Sequence, residues 1–205
     1  MSKVQRGFAL TRERKNGDVV IDEGEEVLAY SEAKIPEYQT PNSAGADFFC
    51  AERVVVPSIW SQFAKILESD VNGHVYNWVA EIKGEGNQKA AVKAAQKFKP
   101  TLVHTGIKAY MGEDEVLELY NRSSNPLKRG LVLANGVGVV DSDYVDNPDN
   151  DGEIMFAFYN FLPWSVTIDV GERIGQGVFK KFLKPTFNVF RKNTKRVGGF
   201  GSTEE

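Results

Sequence analysis

Short apolar runs separated by turn-forming residues set the rhythm of most of this chain. Phe8-Ala9-Leu10 and Val19-Val20-Ile21 flank Lys15-Asn16-Gly17-Asp18, which predicts a hairpin or a loose extension over residues 1–30. The next piece, Ala33 to Pro41, carries Pro36 and Pro41 and excludes a regular helix. Ser43-Ala44-Gly45-Ala46-Asp47 then lets the backbone turn closely, and a strand follows through Val54-Val55-Val56. At the start of such a strand, Asp47 reads first as a cap. From Leu102 onward the β rhythm resumes in Leu102-Val103-His104, Val116 to Tyr120, Leu131-Val132-Leu133, Ile154 to Tyr159, Val166-Thr167-Ile168 and Ile174 to Phe182. Strands this short and this evenly spaced predict an all-β sandwich, barrel or jelly roll.

Two stretches break the rhythm. Between residues 57 and 100, Trp60, Phe63, Ile66 and Leu67 recur at helical spacing, as do Val92, Ala95 and Phe98, so two amphipathic helices are expected there. Residues 75–82 fit a helix through Val75, Trp78, Val79 and Ile82 and a strand face through Tyr76, Trp78, Ala80 and Ile82 equally well. Pro100 closes the segment. The stretch Arg191 to Glu205 has too little apolar content to fold alone and reads as a mobile tail.

Composition narrows the class. At 205 residues and 41% hydrophobic content the chain can bury a real core. A net charge of −3 offers no global basic field, so direct nucleic-acid binding is not expected. The last quarter is nonetheless locally basic, which suits phosphates better than DNA. No run approaches a membrane span, and Met1 to Arg6 does not lead into a secretory signal. With one cysteine, Cys50, among apolar neighbours, the natural compartment is a reducing cytoplasm. His74 and His104 stand in unrelated contexts and support neither a metal cluster nor a Ser-His-Asp arrangement.

The richest chemistry lies between Leu133 and Tyr144, where the turn Ala134-Asn135-Gly136-Val137 leads through Gly138-Val139-Val140 to Asp141, Asp143 and Tyr144. Apolar residues flanking Asn-Gly predict a β-hairpin. Arg122-Ser123-Ser124 places a guanidinium beside two hydroxyls, a donor set for phosphate oxygens. Gly171-Glu172-Arg173-Ile174-Gly175-Gln176 adds a cation and an amide. Gly199-Phe200-Gly201-Ser202-Thr203 offers backbone amides and a ring able to stack on a base.

In this order the segments resemble the five motifs of the trimeric deoxyuridine triphosphatase (dUTPase) family, with Val-Val-Asp-Ser-Asp-Tyr the most specific. The resemblance covers roughly residues 30–56 and 100–203. It implies a distorted jelly-roll β fold, assembled as a homotrimer with sites at subunit interfaces. The corresponding division is an N-terminal extension (1–30), a β domain (31–56 and 100–190), a largely α-helical insertion (57–99) and a C-terminal arm (191–205) that closes an active site.

By the same resemblance, Asp141 is the base that activates a water for attack on the α-phosphorus of dUTP, giving dUMP and pyrophosphate. Asn135, with Gly138, Val139, Val140 and Met155, would hold the uracil. Tyr144 would pack under the deoxyribose. Arg122, Ser123, Ser124 and Gln176 would bind phosphates, and Phe200, with Gly201 and Ser202, would close the site. A magnesium ion is implied on the triphosphate, with Asp47 acting through water.

The chain departs from the family pattern in three places. Lys195 stands where the last motif has arginine, with Arg196 one residue late, so either could reach the phosphates. The acidic loop Val145 to Gly152 replaces a tight glycine turn and lengthens the hairpin tip. Residues 57–100 replace a short loop. The related dCTP deaminases are disfavoured because Ala157 stands where their catalytic glutamate would fall. A regulatory protein using residues 57–99 as a partner surface, anchored by Trp60, Phe63, Trp78 and Phe98, is the alternative from another class.

Overall fold

The computed structural model describes residues 5–68 and 98–187. Fifteen strands and one α-helix are found among them. The N-terminal strands are β1 (Gly7–Leu10), β2 (Arg14–Lys15), β3 (Asp18–Val19), β4 (Ile21–Asp22) and β5 (Glu25–Glu26). They are followed by β6 (Ala46–Phe49), β7 (Val54–Val56), helix α1 (Ile59–Glu68), β8 (Thr101–His104), β9 (Ile107–Tyr110) and β10 (Glu115–Asn121). The chain continues through β11 (Leu131–Leu133), β12 (Gly138–Asp141), β13 (Met155–Asn160), β14 (Val166–Ile168) and β15 (Arg173–Lys181).

A four-stranded sheet in the order β12-β10-β15-β6 faces a three-stranded sheet in the order β11-β13-β8, and the pairs β1-β9 and β14-β7 complete the frame. The expected all-β fold is therefore present. Phe48 of the first sheet packs on Phe156 of the second with ring centroids 5.5 Å apart, and Phe8 of β1 meets Phe48 edge-on at 5.3 Å. Leu117, Leu131, Ile154, Phe158, Ile168 and Ile174 fill the space around them.

The turn at Lys15 to Asp18 forms as expected. Asn16 and Gly17 take φ values of 55° and 87°, the left-handed pair that a tight hairpin between β2 and β3 requires. The strand Phe8-Ala9-Leu10 instead pairs with β9, which ties the first residues into the main fold. The hairpin expected at Asn135-Gly136 is not formed. β11 pairs with β13 and β12 with β10, so the turn carries the chain from one sheet to the other. Asn-Gly fixed the local reversal, while burial of Leu131, Leu133 and Val140 in the shared core chose the strands' partners.

Helix α1 confirms the first of the two expected helices. The second, and the ambiguous piece over residues 75–82, fall in residues 69–97, outside those described, as does His74. The two ends of that segment meet where Phe63 stacks on Phe98 at 6.0 Å. Trp60 is exposed and donates its indole N–H to the Phe161 carbonyl at 3.1 Å, and Trp78 lies outside the described residues.

Candidate active site

The candidate side chains gather in two places on the four-stranded sheet. The first is built on β6, β10 and β15. Asp47 lies inside β6 rather than capping it, and is 2% exposed. Its Oδ1 accepts from Gln176 Nε2 at 3.0 Å and its Oδ2 from Arg173 Nη1 at 3.2 Å. Arg122 brings its Nε to 4.0 Å from the same carboxylate and donates from Nη1 to the Arg173 carbonyl at 3.1 Å. Two guanidiniums around one carboxylate leave this corner net positive, which favours a polyanionic ligand.

Arg173 and Gln176 are three residues apart, and a regular strand would send them to opposite faces. The register of β15 against β6 shifts between Arg173 and Gly175. This irregularity adds a residue to one strand and lets both side chains reach Asp47. Flanking Gln176 are two glycines with no room for a side chain. A Cβ at Gly175 would sit 2.0 Å from the Phe156 ring, and one at Gly177 would sit 2.5 Å from Phe48. The Gly-Gln-Gly alternation thus packs aromatic rings on one face while it presents an amide on the other.

Arg122-Ser123-Ser124 forms the turn that leaves β10, closed by a bond from Asn125 N–H to the Arg122 carbonyl at 3.0 Å. Ser123 is exposed and Ser124 half-buried. Beneath them Asn125 is buried, and its amide donates to Asn121 Oδ1 and to the Ile174 carbonyl, both at 2.8 Å. That clamp fixes the serine turn against β15. The sequence offered Arg173 only as a further cation and Asn125 not at all, because Asp47 and Ile174, the partners that define them, are distant in the chain.

The second place is the turn into β12. Asn135 is exposed at the tip, and Gly136 takes a φ of 68°. Strand alternation then sends Gly138 and Val140 inward and Val139 and Asp141 outward. A Cβ on Gly138 would come within 2.9 Å of Leu119, so close approach of the backbone requires glycine here. Asp141 ends the strand, exposed. Met155 is half-buried at the start of β13, opposite His104 on β8.

Tyr144 is 7% exposed and belongs to the core, with its hydroxyl donating to the Glu153 carbonyl at 3.0 Å. The acidic loop that follows it is anchored at Asp151, which is 0% exposed. Asp151 accepts from the Arg12 backbone N–H at 2.9 Å, from the Arg12 and Arg14 guanidiniums at 3.2 and 3.0 Å, and from Lys108 Nζ at 2.9 Å. Burial pushes this carboxyl up, but the backbone bond and the three cations outweigh it and hold it at about 2. Nearby, His104 Nδ1 lies 3.0 Å from Glu153 Oε2, and that hydrogen bond raises the imidazole above its usual range. Burial raises the Cys50 thiol to about 11.

Within one chain the two places are well separated. Asp141 pairs with Val116 near one end of β10, and Arg122 follows the other end. At the usual ~3.3 Å rise per residue they stand about 20 Å apart along the strand. Among the described residues, no three His, Cys, Asp or Glu side chains converge as a metal site. Lys195, Arg196, Phe200, Gly201 and Ser202 lie outside the described residues.

A family model described as dUTPase matches residues 87–204. The chain is 52% identical over 102 residues to the deoxyuridine 5'-triphosphate nucleotidohydrolase of Lactococcus lactis subsp. lactis (strain IL1403), spanning 50% of this chain and 68% of that protein. The crystal structure of a dUTPase from Streptococcus mutans is similar at 32% identity and a TM-score of 0.58, over 88% of this chain and 99% of that one. A mutant dUTPase from phage phi11 of S. aureus, whose structure describes coordination of a structural Mg(II) ion, shares the fold at 14% identity. Its TM-score is 0.54, over 92% of this chain and 98% of that one. The matched residues 87–204 leave out Asp47, which the fold returns to Gln176.

Proposed function

We infer the division of labour in this site from the premise that the chain belongs to the dUTPase family and hydrolyses dUTP. Asp141 takes a proton from a water whose oxygen bonds to the α-phosphorus. The bridging bond from that phosphorus to the β-phosphate oxygen breaks, and dUMP and pyrophosphate leave. A carboxylate suits this task because it needs only hydrogen-bond reach to the water. Charge on the phosphates is met by Arg122, with Ser123, Ser124 and Gln176 as neutral donors. Asn135 and the backbone of Gly138 to Val140 and Met155 read the uracil edge, and Tyr144 packs against the deoxyribose. From the arm, Phe200 covers the base, Gly201 and Ser202 lie against the nucleotide, and Lys195 and Arg196 meet phosphate.

The observation that carries this reading is the separation of about 20 Å between Asp141 and Arg122 along β10. No triphosphate spans that distance from its α-phosphorus, so Asp141 of one chain works on phosphates held by Arg122 of another. A homotrimer with shared sites satisfies this. Magnesium brought with the triphosphate would supply charge neutralisation, and Asp47 would hold it through water. Both Asp47 oxygens already accept from Arg173 and Gln176, which suits a water-mediated contact and not direct ligation. A reducing, cytoplasmic setting belongs to the same reading, supported by the buried Cys50 thiol.

The test is subunit mixing with pyrophosphate release as the readout. Asp141→Asn and Arg122→Ala are each expected to be nearly inactive on dUTP. When they are unfolded together and refolded, about a quarter of the sites pair intact Asp141 with intact Arg122, and activity returns to roughly that fraction. Mixed chains that stay inactive would exclude the shared site. Hydrolysis of dUTP surviving Asp141→Asn would exclude the base.

A further inference from the structure

The loop from Val145 to Glu153 is folded back on Tyr144 by its own side chains. Asn147 Nδ2 donates to the Tyr144 carbonyl at 3.1 Å and to Asn150 Oδ1 at 2.8 Å. Asn147 Oδ1 in turn accepts from the backbone N–H groups of Asp149 and Asn150 at 3.0 and 3.2 Å. Asn150 Nδ2 then donates to the Tyr144 hydroxyl at 2.9 Å and lies 3.4 Å from the Glu153 carbonyl, which accepts from that same hydroxyl at 3.0 Å. The phenol is therefore held both as an acceptor, from Asn150, and as a donor, to Glu153, within one small hydrogen-bonded triangle, which restrains the tilt of the ring. Glycine at 152 is required by this fold-back, because a Cβ there would lie 2.8 Å from the Tyr144 carbonyl oxygen.

We propose that Asn150 is a positioning residue for sugar selectivity, acting through the Tyr144 hydroxyl, with the Arg12–Arg14–Asp151 anchor holding the loop that carries it. The proposal rests on the reading of Tyr144 as the surface beneath the deoxyribose. A ring excludes a ribose 2′-hydroxyl only as far as it cannot back away from it. Two hydrogen bonds and a packed edge deny it that movement, and removal of one bond restores part of it.

The experiment measures kcat/KM for dUTP, UTP and dCTP on the full chain and on Asn150→Ala, Tyr144→Phe, their double variant and Tyr144→Ala. Asn150→Ala is expected to lower the dUTP-to-UTP ratio about tenfold, the effect that loss of one positioned hydrogen bond allows, and to leave the dUTP-to-dCTP ratio unchanged. The double variant is expected to be no less selective than Tyr144→Phe alone, since both act on one hydroxyl. Where Asn150→Ala does not fold, Asn150→Asp, nearly isosteric but with an acceptor in place of the donor, is measured in the same way. Multiplying effects in the double variant, or parallel losses on dUTP:UTP and dUTP:dCTP, would overturn the proposal. An unchanged dUTP-to-UTP ratio in Asn150→Ala, with a lowered one in Tyr144→Ala, would overturn the role of Asn150 alone. An unchanged ratio in Tyr144→Ala would overturn the sugar reading beneath it.

Discussion

Replacing Asp151 with asparagine removes one charge from the centre of the N-terminal anchor and turns one of its two accepting oxygens into an amide donor. Asp151 sits at a φ of 58°, a conformation that asparagine tolerates as well as any residue with a side chain, so the backbone is undisturbed. Its depressed carboxyl, about 2 against an ordinary 3.8, corresponds to about 2 kcal/mol of folding free energy at neutral pH. Lys108, only 3% exposed, keeps Asp146 as a partner but loses its buried one, and such losses range up to about 4 kcal/mol. Asp151→Asn should therefore destabilise the protein by about 2–4 kcal/mol, read from urea unfolding at one fixed protein concentration. The pH dependence has a definite sign. Because the folded carboxyl titrates below the unfolded one, the parent's advantage is complete above about pH 5 and is lost as pH falls through about 4 toward 2. A difference under about 0.5 kcal/mol at neutral pH, or one that grows toward acid, would refute the reasoning.

Three further outcomes are expected. Gly175→Ala places a Cβ inside the Phe156 ring and should cost about 3 kcal/mol in urea unfolding, with Phe156→Leu restoring part of it. Asp47→Asn leaves Arg173 and Gln176 without their shared anion and should raise KM for dUTP about tenfold; a change under about twofold in steady-state assays would count against the cluster. His104→Gln removes a group whose folded pKa is raised by Glu153. The parent's stability advantage over it should therefore be full near pH 6 and smaller near pH 8.5, as paired urea curves would show.

Much of the site was legible in the sequence because its signals are local. The turn at Lys15 to Asp18 formed as read because the positive φ demanded at Asn16 and Gly17 is a property of those two residues, whereas the inward and outward alternation of Gly138 to Asp141 shows only in the fold. Strand partnership was not legible in this way. Asn135-Gly136 specifies a reversal but not which sheets the flanking strands enter, and the two strands parted. Asp47 read as a cap because the groups that bury it, Arg173 and Gln176, lie 126 and 129 residues away and meet it only through an irregularity in β15. The acidic loop read as a longer hairpin tip because its cations, Arg12 and Arg14, stand 139 and 137 residues before Asp151.

The contact between Asp47 and Gln176 closes a loop of 129 residues, and the segment read as an insertion, residues 57–99, lies inside it. Closure entropy grows only with the logarithm of loop length, so roughly forty additional residues cost about 0.3 kcal/mol at that step. Its ends are already drawn together by Phe63 and Phe98. The position thus behaves as a thermodynamically quiet port in the chain, where length and sequence can vary while β6 still finds β15.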